Sequence, residues 1–145
     1  MYNEQMFPSS VVDEPAVLSS QELRDRVVEG WAEQASHLAW WLSLVAELDR
    51  REAWAGDGLM SCAHWLSWQC AIDMRTARAH VQVARCLDEL PLLREAFATG
   101  RVSYSKVRAV CRVATRDNEV LLVELAQNLT AAQLERTVAN YARSQ

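Results

Sequence analysis

The chain has 145 residues, half of them hydrophobic, with six tryptophans but only four glycines and three prolines. That is enough apolar material for one ordinary domain with a core, and too little glycine and proline for a loop-rich β fold. The net charge of −4 argues against a uniformly basic nucleic-acid binder, yet residues 1–60 set four arginines against eleven acids while residues 61–112 set eight Lys/Arg against four acids. The front is acidic and the centre basic.

Residues 1–18 are acidic and broken by proline, which predicts a flexible tail. They lack the basic start and apolar core of a signal peptide. The remaining residues, 19–145, are expected to form a single helical domain. Ser19 with Glu22 three residues later is a capping-box start. From there the spacing predicts a long helix to about Ala53, with Trp31, Ala35, Leu38, Leu42 and Val45 forming one apolar stripe. Trp40, Trp41, Leu44 and Leu48 widen it to a second face, and a helix apolar on two sides needs two neighbours. Trp40 and Trp41 cannot face one direction, so Trp31, Trp40, Trp41 and Leu44 are candidates for core packing or for a homodimer contact.

The glycines of WAGDGL break the pattern. Ser61 then opens a short helix through Gln69, and Asp73 caps the next, whose Met74, Ala77, Val81 and Ala84 form a buried stripe. Pro91 at the first turn and Gly100 just past the end frame a further helix. Ser103 opens one with Val107, Val110, Cys111 and Ala114 on one face; Asp117 starts another with Leu122, Leu125, Ala126 and Leu129. Thr130 of TAAQ caps the last, with Leu134, Val138 and Tyr141 inward. No strand-like alternation appears. The expected fold is all-α: about seven helices, one long and N-terminal, the others a compact bundle containing a candidate helix-turn-helix.

The inventory for catalysis is thin. His37, His64 and His80 each lie on a predicted helix with no obvious nucleophile beside them, and there is no glycine-rich phosphate loop. Cys62, His64, Cys70, His80 and Cys86 raise the question of zinc, but Cys62 and His64 are two residues apart and point to different sides of a helix, and no C-x-x-C is present. The four cysteines, Cys111 included, read as buried free thiols of a reduced, cytoplasmic protein. The most apolar window, HLAWWLSLVAEL, is too short to span a bilayer. Neither metal nor cofactor is expected, and no small-molecule substrate is evident.

The arginines are more informative. Arg75, Arg78, Gln82 and Arg85 step by three, four and three along the face opposite the Ala77–Val81–Ala84 stripe. If the two helices opened by Ser61 and Asp73 form a helix-turn-helix, these side chains occupy the front of its recognition helix, where arginine can chelate guanine and glutamine adenine. Lys106, Arg108 and Arg112 would add phosphate contacts. The plainer reading is a solvated face, with Arg85 paired to Glu89 four residues on. The turn CAI also lacks the glycine such turns often use.

The stretch GLMSCAHWLSWQCAIDMRTARAHVQVARCLDELPLLREAFATGRVSYSKVRAV resembles the 13E12 repeat family, also known as domain of unknown function 222. Ser61, Trp65-Leu66, Thr76-Ala77, Val81, Ala84, Leu87, Leu90-Pro91, Ala96, Gly100 and Ser103 carry the likeness, which covers about Arg24 to near the end. The resemblance implies a setting in DNA processing or mobile elements, because family members commonly continue into a C-terminal HNH endonuclease domain. No His-Asn-His cluster occurs before Gln145, so these residues are expected to form a non-catalytic module that positions on DNA. The alternative is a protein-interaction or dimerisation scaffold.

Overall fold

The computed structural model describes residues 14–56 and 58–145; Asp57 of the glycine loop and residues 1–13 of the expected tail lie outside them. Seven α-helices and no strand are found among the described residues: α1 (Ser20–Arg50), α2 (Cys62–Cys70), α3 (Met74–Glu89), α4 (Pro91–Ala98), α5 (Tyr104–Val110), α6 (Glu119–Asn128) and α7 (Ala131–Ser144). A short 3-10 turn, Pro15–Val17, precedes α1. The chain divides into two compact units at Trp31/Ala32, so that α1 belongs to both.

In the first unit, Ser19 and Glu22 form the anticipated capping box: the Ser19 amide donates to Glu22 Oε2 at 2.8 Å and the Glu22 amide to Ser19 Oγ at 3.1 Å. Val27, Val28 and Trp31 are exposed, and the buried positions of α1 begin only at Ala35. The stripe expected from Trp31 therefore starts one turn later than its spacing suggested.

In the second unit, Ala35, Ala39, Leu42, Val45 and Ala46 of α1 enter the core, with Leu38, Trp41 and Leu48 packed at its edge. Trp40 and Leu44 stay exposed. The helix ends at Arg50, short of the expected Ala53. The Glu52 amide donates to the Asp49 carbonyl and the Ala53 amide to the Leu48 carbonyl, with Glu52 at φ +52°. This is a Schellman ending with glutamate where glycine is usual, so no residue type announced it.

The remaining starts follow local chemistry. Ser61 caps α2 by accepting from the His64 amide; Asp73 caps α3 by accepting from the Thr76 amide and hydroxyl. Thr130 and Gln133 form a reciprocal capping box on α7. α6 begins at Glu119 rather than Asp117. Asn118 directs its side chain backwards, accepting from the Thr115 amide and donating to the Val113 carbonyl, and so braces the preceding turn. α5 also stops earlier than its apolar face, leaving Cys111 and Ala114 beyond it.

α2 packs on α3, α3 on both α4 and α5, α5 on α7, and α4 on α6. The core they enclose contains Leu66, Val83, Leu93, Phe97, Val107, Leu134 and Val138, each at most 2 % exposed. Gly100 closes α4 at φ +77°, and a Cβ there would lie 2.9 Å from the Ala32 Cβ, so both backbone and space require glycine.

One core contact has no sequence signature. Leu90 offers no side-chain cap to α4 and Pro91 has no amide hydrogen. The next two amides, Leu92 and Leu93, both donate to Glu119 Oε1, at 2.6 and 3.1 Å. Glu119 is 5 % exposed, a carboxylate buried where the N-terminal dipole and amides of α4 compensate its charge.

Candidate nucleic-acid interface

α2 ends at Cys70, and residues 71–73 turn the chain into α3. Ala71 takes φ +54°, the left-handed conformation that a glycine would supply at such a corner. The corner orients α3 so that Ala77, Val81 and Ala84 are buried while Arg75, Arg78 and Gln82 face solvent. The two-faced expectation for this helix thus holds in its geometry.

The arginine set divides. Arg75, Arg78 and Gln82 of α3 line a groove whose other wall carries Arg108 of α5 and Arg112 just beyond it. Its floor is Ala79, Val83 and Cys111, and its volume is about 230 Å³. Among the described residues no carboxylate lines it. Arg112 reaches Glu135 of α7 at 3.2 Å, an exposed pair of small energetic weight. No ion pair engages Arg75, Arg78 or Arg108 among the described residues.

The other two cations turn elsewhere. Arg85 makes two hydrogen bonds to Asp49 of α1, at 2.6 and 3.0 Å, rather than the anticipated contact with Glu89. With the Arg50–Asp88 pair at 2.5 Å, it ties α1 to α3 in both directions. Lys106 Nζ donates to the Ala126 carbonyl at 2.8 Å, which satisfies an orphan acceptor in the last turn of α6. Both residues are committed within the fold.

Beside Arg108 sits a half-buried cluster that the spacing of its members gave no reason to group. Tyr104 Oη and His80 Nδ1 are 3.1 Å apart, and Trp41 meets the His80 ring edge-on at 5.3 Å. Burial, and secondarily the Arg108 charge, holds the His80 imidazole below its ordinary pKa, while burial raises that of Tyr104.

The thiols are less uniform than expected. Cys62 is buried and its pKa is pushed up to about 11 by desolvation and the Asp49 charge, so it is inert. Cys70 is exposed at the end of α2, and Cys86 and Cys111 are half-buried. No group of three or more His, Cys, Asp or Glu is arranged to hold a metal ion among the described residues.

The tryptophans also separate. Trp41, Trp54 and Trp65 pack against the core. Trp31, Trp40 and Trp68 are 62, 52 and 64 % exposed, so core packing does not account for them. Among the described residues no helix is long and apolar enough to cross a membrane.

No curated protein and no solved structure matches this chain. A family model does match, over residues 25–144, which takes in all of α2–α7 and both walls of the arginine groove. The chain belongs to the family described as Domain of unknown function (DUF222).

Proposed function

We propose that this chain is a non-catalytic helical module that binds DNA through the groove between α3 and α5. The observation that carries the reading is the convergence of Arg75, Arg78, Arg108 and Arg112 on one groove with no lining carboxylate, in a chain of net charge −4. Acids are abundant in this protein, and their absence from this groove among the described residues leaves a focused positive field suited to a polyanion. The resemblance to the 13E12 repeat family supports a DNA setting and a place beside an HNH endonuclease domain.

A fluorescence-anisotropy titration of a labelled duplex, at low and at physiological salt, tests the reading. Wild-type chain should bind at low salt. Because Arg75 and Arg78 are exposed and make no ion pair among the described residues, the Arg75→Ala/Arg78→Ala variant should keep its melting temperature and lose at least about tenfold in affinity. Equal binding by both proteins would remove the groove from the account. Incubating the chain with DNA and divalent metal should give no cleavage.

A second reading, a dimerisation scaffold, draws on Trp40 and Leu44 of α1, which are 52 and 48 % exposed. A dimer built on them should dissociate in Trp40→Ser/Leu44→Ser; sedimentation equilibrium of a wild-type monomer would end this reading.

A further inference from the structure

We infer that the α3–α5 groove recognises phosphate groups rather than base edges. The inference rests on the DNA reading for its biological source of phosphate, but the chemistry it assigns to the groove is independent of that source.

An α-helix with its side chains is about 10–12 Å across, and the major groove of B-DNA is about 12 Å wide, so one helix fills it. Packed helices lie about 8–10 Å apart axis to axis, which makes a side-by-side pair roughly 20 Å wide. α3 and α5 are packed neighbours, and the four arginines are drawn from both walls of the groove between them. α3 cannot sink into the major groove with that set intact. The arginines instead converge on something that enters between them.

Arginine offers only donors, five on each planar fork, and it pairs bidentately with phosphate oxygens. The floor of Ala79, Val83 and Cys111 contributes no strong acceptor, and Gln82 is the lining side chain that can accept. Arginine alone can match the two acceptors of a guanine, but every base pair also shows a donor in the major groove, whereas a phosphate presents acceptors alone. The lining therefore matches a phosphate.

About 230 Å³ is far above the roughly 10–15 Å³ that one water needs, so a multi-atom anion fits. Arg75, Arg78 and Arg108 face this space without an ion-pair partner among the described residues, and an entering anion relieves their mutual repulsion. Arg112, paired with Glu135 only by an exposed contact at 3.2 Å, stands at one edge of the site.

The test uses the full chain and sodium tripolyphosphate as probe, by isothermal titration calorimetry at constant ionic strength, alongside anisotropy titrations of two labelled duplexes of unrelated sequence. Tripolyphosphate should bind, and Arg108→Ala should weaken it by about tenfold or more. The two duplexes should bind within about threefold of each other, be displaced by tripolyphosphate, and lose less than about threefold in Gln82→Ala. Tripolyphosphate binding without duplex binding would keep the phosphate site and remove the DNA reading. Duplex binding with a sequence preference above about tenfold that Gln82→Ala abolishes, and that tripolyphosphate does not compete, would keep the DNA reading and overturn the phosphate site. Tripolyphosphate and duplexes both failing to bind would overturn both.

Discussion

His80 shows how one residue carries information that spacing alone hides. On sequence it is one of three scattered histidines; in the fold it is half-buried against Trp41 and bonded to Tyr104, beside the Arg108 charge. Its folded pKa is lowered, so the unfolded chain binds a proton there that the folded chain does not. Its contribution to stability is complete above about pH 6.5 and is lost as pH falls through the lowered folded value. The urea midpoint should therefore decline below about pH 6.5, and His80→Gln should flatten that part of the profile. Parallel declines in both proteins would assign the effect to other groups. Arg85 and Lys106 teach the complementary point. Their helical positions were legible, but their partners, Asp49 and the Ala126 carbonyl, are 36 and 20 residues away and become neighbours only through tertiary packing. Charge spacing on one helix therefore carries no sign of the partners that Arg85 and Lys106 take within the fold.

Helix starts were readable because caps are local chemistry: Ser19, Ser61, Asp73, Ser103 and Thr130 all act where the residue type suggested. Endings were less readable where non-glycine residues take the left-handed conformation, as Glu52 does after α1 and Ala71 after α2. Each such residue costs roughly 1 kcal/mol relative to glycine. Ala71→Gly should accordingly raise stability by about 0.5–1 kcal/mol in urea titrations, and a loss instead would mean that the α2–α3 corner depends on the alanine methyl. Gly100 is the opposite case. Gly100→Ala should cost more than about 1 kcal/mol, since it adds a strained backbone to a 2.9 Å contact with Ala32. The buried Glu119 that caps α4 was invisible because its acceptor role is set by residues 26 and 27 positions away. Glu119→Ala should destabilise by about 1–3 kcal/mol, leaving the Leu92 and Leu93 amides without their acceptor; an unchanged urea midpoint would show that water replaces it.

At the scale of the molecule, the all-α architecture followed from composition and helical periodicity, and the basic centre from simple charge counting. The groove did not. Steps along α3 group Arg75, Arg78, Gln82 and Arg85, while Arg108 and Arg112 enter the sequence reading as separate phosphate-positioning charges. Only the packing of α3 on α5 makes one site of Arg75, Arg78, Gln82, Arg108 and Arg112. That site is the central claim, and the salt dependence of duplex binding tests it most directly. Each phosphate contact contributes about 0.9 to the slope of log affinity against log salt. Removing two groove arginines with Arg75→Ala/Arg78→Ala should therefore lower the slope by about two, along with the affinity. A wild-type chain that fails to bind at low salt, or a double variant with an unchanged slope, would contradict the account.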